Sequence, residues 1–321
     1  MKRFHGIEDY SDYVSGCGTV LTAAALGKFD GVHIGHVKLI RQMTDYARNH
    51  SLSSLVFAIE TGEKTILSHE ERARFLQTLG VDYLVECPFS EQFMRMGAEE
   101  FVRDVLVNTL HAVYVCVGTD FAFGHGRKGN VLLLQKLGEL YGFHPQIVKK
   151  EQLSGTDVSS TRVRNALEAG NMELVTALLG RPYPVSGTVM HGHHLGTQIG
   201  NPTINVHPDL QKLLPPDGVY ASITHLPDDT RQKGITNVGI RPTVDGKTRK
   251  AETTLFDYHC DLYGETVTCD LISYIRPERR FSGLEELIEQ IGRDKERARQ
   301  ILQSGSIESR RTKPRSATSQ G

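Results

Sequence analysis

The segment Leu26-Gly27-Lys28-Phe29-Asp30-Gly31-Val32-His33-Ile34-Gly35-His36 restricts the fold more than any other part of the chain. The apolar run from Thr19 to Leu26 reads as a buried strand. After the segment, Val37, Leu39, Ile40, Met43, Tyr46 and Ala47 recur at helical spacing. Strand, glycine-rich turn and helix in that order make an anion site. Gly27, Gly31 and Gly35 let the backbone approach a ligand closely, and the unpaired N–H groups and positive dipole end of the helix point into the turn. A phosphate fits there. His33 and His36 can lie beside the first helical turn and donate hydrogen bonds to a phosphorus centre as it becomes five-coordinate. Incidental histidines or half of a metal site are the alternatives. A metal would need more ligands, and the flanking residues offer only Asp30.

From residue 1 to about 182 the pattern alternates strand and helix. Strands are expected at Ser53 to Ile59, Tyr83 to Glu86, Ala112 to Val117 and His144 to Lys149. Helices are expected from the capping box Ser68-His69-Glu70-Glu71 to Leu79, at Glu99 to Leu110, at Val131 to Tyr141 and at Asn171 to Leu179. Such alternation implies an α/β domain with a mainly parallel sheet, whose ligands bind beyond the carboxyl ends of the strands. The histidine turn stands at one such end.

Two further stretches should reach the same edge. Gly118-Thr119-Asp120-Phe121-Ala122-Phe123-Gly124 follows a strand directly and runs into Gly124-His125-Gly126-Arg127-Lys128-Gly129. The latter matches GxGxxG formally. It stands too far from the strand end to be the dinucleotide turn, and no acidic residue closes the next strand, so a mobile basic loop over phosphates is the better reading. Asp157-Val158-Ser159-Ser160-Thr161-Arg162-Val163-Arg164 reads as the cap and first turn of a helix. There the hydroxyls of Ser159, Ser160 and Thr161, the free N–H groups and Arg162 can hold leaving phosphates.

Composition changes at Gly180-Arg181-Pro182-Tyr183-Pro184, where prolines cannot continue a helix. Runs at Val185 to Met190, Val219 to His225, Gly234 to Ile240, Thr253 to Tyr258 and Thr266 to Tyr274 suggest a small closed antiparallel β-barrel. An amphipathic helix over Gly283 to Gln303 follows. The expected domains are therefore 1–182, α/β, and 183–303, all-β, with a polar tail at 304–321 that reads as disordered despite its basic patch Arg310-Arg311-Thr312-Lys313-Pro314-Arg315. Gly187, Gly192, Gly196 and Gly200 punctuate a loop before Pro202-Thr203-Ile204-Asn205. With no Walker A motif in the chain, phosphate in this half must be cradled another way.

The segments GKFDGVHIGH, GTDFAFG and SSTRVRNAL, at these separations, resemble the adenylyltransferase half of the bacterial bifunctional riboflavin kinase and FAD synthetase family, and the resemblance covers nearly the whole chain. It implies ATP and FMN meeting at the sheet edge, with FMN phosphate attacking the α-phosphorus and pyrophosphate leaving. By that resemblance His33 and His36 stabilise the transferring group, and Ser159 and Arg162 contact the ATP phosphates. The turn residues Gly27, Phe29, Asp30, Gly31 and Gly35, with Asp120 and Phe121, belong to the nucleotide and flavin site. In the second half it implies a riboflavin kinase: Thr203 and Asn205 around Mg²⁺ and the nucleotide phosphates, a glycine loop carrying Gly187, Gly192 and Gly196, and Glu252 as the base that takes the proton of the riboflavin 5′-hydroxyl. Asn237 to Thr243 and Ile275 to Glu278 also fit that pattern.

Several positions depart from the family. Phe57-Ala58-Ile59-Glu60-Thr61-Gly62-Glu63-Lys64 replaces a Pro-His-Pro turn and adds carboxylates where phosphates would come; Leu195, Asn201, Ile204 and Thr254 also differ from the usual residues. A flavin-binding regulator with reduced activity is thus the runner-up, and another HxGH nucleotidyltransferase a third reading. His191-Gly192-His193-His194 cannot easily close a tetrahedral metal site alone. The formal net charge of -1 gives no footprint for nucleic acid, and no apolar run approaches the ~20 residues that span a bilayer. Met1-Lys2-Arg3-Phe4-His5 opens no signal-peptide pattern, so a cytoplasmic enzyme of small-molecule substrates is expected, with a homo-oligomer left open. The five cysteines, Cys17, Cys87, Cys116, Cys260 and Cys269, form no CxxC and read as buried thiols.

Overall fold

The computed structural model describes residues 1–190, 203–243, 246–258 and 261–304. Gly192, Gly196, Leu195, Asn201, the histidines at 191–194, Cys260 and the tail beyond Ser304 lie outside the described residues.

The first half is a six-stranded parallel sheet. Its spatial order is Lys2–Phe4, Tyr83–Pro88, Ser53–Glu60, Thr22–Gly27, Ala112–Gly118 and His144–Val148. From Thr22–Gly27 the chain steps outward to Ser53–Glu60 and Tyr83–Pro88, then returns to Ala112–Gly118 on the opposite side. Strand order therefore reverses at Thr22–Gly27, the kind of position at which parallel α/β sheets bind ligands. Both faces are covered. Ala24, Leu26, Leu55 and Phe57 pack one way against Phe101, Val105 and Leu106, while Ala23, Ala25, Val56 and Ala58 pack the other way against Ile40, Met43 and Leu76. An unbroken apolar strand is what a sheet buried on both sides requires.

Most expected elements form, several with their caps. Ser68 makes the complete capping box with Glu71, and Val131–Tyr141 starts on Asn130 and ends at left-handed Gly142. The strand Lys2–Phe4 and the helix Ile7–Cys17 were not expected. The segment read as a helix from Glu99 is α-helical over Ala98–Glu100 and π-helical over Phe101–Thr109, with Leu110 N–H donating to Val105 O at 2.8 Å. Nothing in the structure explains that wider pitch.

The second half is a closed antiparallel barrel of six strands, not the five apolar runs alone. Around the barrel they run Tyr183–Met190, Ile204–Pro208, Gly246–Leu255, Arg231–Thr243, Gly218–His225 and Thr266–Pro277. The extra one, Ile204–Pro208, begins inside the Pro202-Thr203-Ile204-Asn205 segment. Gly187, placed both in the run Val185 to Met190 and in the glycine-punctuated loop, lies in the strand, opposite Pro208. A Cβ there would sit 2.2 Å from the His207 carbonyl oxygen, so the glycine permits close strand approach. Inside the barrel Val185, Val206, Tyr220, Val238, Ala251 and Leu271 pack together, and Thr236 bonds Ser222 and Thr253 at 2.8 Å each. Outside, Val219, Ala221 and Ile235 are covered by the helix Leu284–Ser304 through Ala298 and Leu302. The Arg276 guanidinium grips Asp294 of that helix at 2.7 Å.

One hydrophobic cluster draws from both halves. Ile66, Val163, Leu167 and Leu178 share it with Tyr183, Val206 and Leu214. The Tyr183 hydroxyl meets the carbonyls of Ile66 and Leu213. Buried Lys212 donates to Ile66 O at 2.9 Å and to Glu71, whose other oxygen accepts from Ser186 N–H at 2.8 Å. Cys87, Cys116 and Cys269 are buried free thiols.

Candidate active sites

The histidine turn occupies the switch point of the sheet. Phe29 and Val32 both hold left-handed backbone, at φ 48° and 42°, and both side chains are fully buried. For a β-branched residue such as Val32 this conformation costs on the order of 1–3 kcal/mol and must be held by its surroundings. His33 then caps the helix Ile34–Asn49, its Nδ1 accepting from His36 N–H at 3.3 Å. An acceptor Nδ1 places the ring proton on Nε2, leaving that N–H as a donor. The His36 ring stacks on His33 at 3.7 Å between centroids and meets Phe29 at 5.1 Å. Its Nδ1 is buried and has no hydrogen-bond partner among the described residues. A Cβ on Gly35 would press on the His33 ring at 3.3 Å, which accounts for that glycine.

Both imidazoles are neutral at physiological pH. Burial, seconded by the Arg181 charge, lowers His33 to about 4, and burial with the His33 neighbour holds His36 well below the ordinary value. Neutral rings can donate one hydrogen bond each without carrying charge.

The other expected residues divide into two sets. Asp120 and Lys150 stand within electrostatic reach of His33 and pair with each other at 2.9 Å, with the Asp120 side chain 69% exposed. Ser159 caps the helix Ser160–Glu168 by accepting from Arg162 N–H at 3.2 Å, and Ser160 and Thr161 open its first turn. The Arg162 guanidinium donates to the carbonyls of Leu153 and Thr156. Asp30, by contrast, is spent on structure. Its carboxylate accepts from Ile66 N–H at 2.7 Å and pairs with Arg164 at 2.6 Å, tying the turn to residues 64–66. Gly31 faces Ile66 and Gly27 faces the Phe29 ring.

The GHGRKG segment is a hairpin, with Ala122–Phe123 paired to Gly129–Asn130, and Phe121 stacks on Phe123. It is tied down by His125 N–H to Met96 O at 2.7 Å. A cleft of about 620 Å³ lies along the helix after the histidines, lined by Ile34, Lys38, Arg41, Phe75, Glu151 and Leu179; neither imidazole lines it.

Of the two carboxylates in residues 57–64, Glu63 is exposed, whereas Glu60 turns to a buried arginine. Glu60 and Glu86 both bind the buried Arg72 guanidinium, and His69 meets Glu86 at 2.9 Å. Burial alone would raise Glu86, but His69 and Arg72 outweigh it and hold the carboxyl at about 2. Glu60, His69 and Glu86 are close enough to ligate a cation, yet Arg72 on both carboxylates and Arg3 on Glu86 at 3.0 Å already balance their charge.

On the barrel, register alone assembles a second constellation. Asn205 lies opposite Glu252, and Glu252 opposite Asn237, so three polar side chains share the outer wall on adjacent strands. Asn205 is buried, Thr203 and Glu252 are half-buried. Asn237 donates to Glu278 at 2.8 Å, while its amide oxygen is buried without a hydrogen-bond partner among the described residues. Asn237 fits the riboflavin kinase pattern without an assigned role, and Lys150 and Arg181 were not among the expected site residues. Their signal is spatial: each lies beside an expected residue only once the sheet or barrel closes.

A riboflavin kinase family model matches residues 179–302 and a FAD synthetase model residues 19–162. The bifunctional riboflavin kinase/FMN adenylyltransferase of Escherichia coli (strain K12) is 38% identical over 312 residues, covering 94% of this chain and 98% of that protein. The enzyme of the same description from Pseudomonas fluorescens is 34% identical, with the same coverage of 94% and 98%. A crystal structure described as a macrolide-efflux protein from Streptococcus pneumoniae matches with a TM-score of 0.80 at 30% identity, covering 93% of this chain and 98% of that one. No helix among the described residues is long and apolar enough to cross a membrane. With both activities' domains in order and relatives aligned nearly end to end, the chain belongs to the bifunctional riboflavin kinase/FMN adenylyltransferase family, enzymes of riboflavin, FMN, FAD and ATP.

Proposed function

We propose that adenylyl transfer takes place at the histidine turn and riboflavin phosphorylation on the outer wall of the barrel, in domains spanning 1–182 and 183–303. The stacked His33–His36 pair at a helix N-terminus and a sheet switch point is the observation that carries the first assignment. The fixed His33 Nε2–H and the His36 ring donate to the α-phosphoryl oxygens as charge gathers there. The N–H groups of Ser160 and Thr161 and the Arg162 side chain receive the departing pyrophosphate, and Asp120 and Phe121 border the flavin and nucleotide. The FMN phosphate oxygen forms the new bond to the α-phosphorus as the bond to pyrophosphate breaks.

On the barrel, Glu252 accepts the proton of the riboflavin 5′-hydroxyl as that oxygen attacks the γ-phosphorus. Thr203 and Asn205 supply hard oxygen donors of the kind Mg²⁺ takes beside nucleotide phosphates, and the unsatisfied Asn237 oxygen supports a polar ligand at the same place. A Mg²⁺ ion held by these residues would offset the charge of the nucleotide phosphates. The partners are small molecules, and the work is cytoplasmic.

The test is incubation of the full chain with riboflavin and Mg-ATP, with flavins resolved by chromatography. FMN followed by FAD is expected. Tight flavin binding with neither product would overturn the assignment in favour of a flavin-binding regulator.

A further inference from the structure

Arg181 lies between the last helix of the first half and the first strand of the barrel, and its side chain turns back to the histidine turn. Nη2 donates to Gly31 O and Nη1 to Val32 O, both at 2.9 Å, and Nη1 also meets Leu179 O at 3.0 Å. Its guanidinium lies 3.6 Å above the Phe75 ring. The two carbonyls it holds belong to the peptide groups on either side of Val32, the β-branched residue in left-handed conformation just before His33. One planar fork thus fixes both peptides of the strained residue, a task that suits guanidinium and not ammonium geometry. Glu71 and Asp270 also act on it, from the Ser68-capped helix and from the barrel strand Thr266–Pro277.

We propose that Arg181 is a positioning residue for adenylyl transfer, holding from the domain junction the backbone that aims His33 at the phosphoryl group. The proposal rests on the role assigned to His33 above. It also gives the junction a purpose, since the barrel's first strand begins two residues after Arg181. The positive charge next to His33 works in the same direction as burial and keeps that ring unprotonated. The other charged groups acting on His33 are Asp120 and Lys150, from beyond the ends of two neighbouring strands, while the His36 ring stacks on it. Lys150 assists Arg181 and Asp120 opposes it.

Full-length Arg181→Met and Arg181→Lys, assayed separately for FMN and FAD formation over a range of pH, test this. Arg181→Met should lower kcat for FAD formation about tenfold or more, because small misplacements of an aligned group are costly, while FMN formation persists. The acid limb of its FAD-forming profile should move to higher pH, since a cation near His33 has gone. Arg181→Lys should keep the limb in place but not recover kcat, because one ammonium cannot span both carbonyls. An equal fall in FMN and FAD formation, with the acid limb of the residual FAD activity unmoved, would mean a purely structural role and overturn the proposal. So would wild-type FAD formation by Arg181→Met. His33→Gln is the control: if it forms FAD normally, the reading of the histidine turn itself falls, and this proposal with it.

Discussion

The imidazole of His36 lies almost flat on that of His33, 14° from parallel, with its Nδ1 buried and without a protein partner among the described residues. A buried polar atom of that kind is retained where a ligand completes it. His36→Ala should therefore lower FAD formation by about 10²-fold or more while FMN formation from riboflavin stays at the parent rate. Parallel assays of the two products check this, and equal loss of both would contradict separate sites.

Glu252 predicts the reciprocal pattern. Glu252→Gln keeps the strand register with Asn205 and Asn237 but cannot accept a proton. FMN formation should fall by about 10²-fold or more, with FAD formation from supplied FMN unaffected. Chromatography with riboflavin in one arm and FMN in the other reads out both.

The histidine turn makes the fold acid-sensitive in a definite window. His33 titrates at about 4 when folded and near its ordinary 6.5 when unfolded, so below 6.5 the unfolded chain binds more protons. Its contribution to stability is full above about 6.5 and is lost progressively as pH falls toward 4. Urea midpoints at stepped pH should show this decline, and His33→Gln should make it shallower while buried His36, also held below its ordinary value, sustains the remainder. Glu86 extends the loss to lower pH, between its ordinary 4.5 and about 2.

Glu71 carries the seam between the halves. Glu71→Gln leaves the Lys212 ammonium buried without its counter-ion, and should destabilise the chain by about 3–5 kcal/mol. Equilibrium urea unfolding measures it. The double variant Glu71→Gln with Lys212→Met should recover part of that loss, because the unpaired charge is then absent.

Much of this was legible in the sequence because it is local. The Ser68–Glu71 capping box, the Ser159 cap and the apolar strands each lie within one window of residues, and each forms. The strand Lys2–Phe4 was not legible: three residues carry no periodicity, and only pairing with Tyr83–Pro88 makes them a strand. Asp30 shows the opposite limit. Its place in the glycine-rich turn suggested a ligand contact, yet Ile66 and Arg164, 36 and 134 residues away, claim the carboxylate. Gly187 looked like part of a phosphate loop because glycine spacing alone cannot separate a mobile loop from strands packed too closely for a Cβ.

The shared cluster around Tyr183 and Lys212 has an evolutionary corollary. A kinase barrel grafted from a distant relative would have to bring its own matches for the Ile66 carbonyl and for Glu71, or leave them stranded at the graft. The two catalysts are thus bound to diverge in step, each change along their common boundary constraining what the neighbour can tolerate.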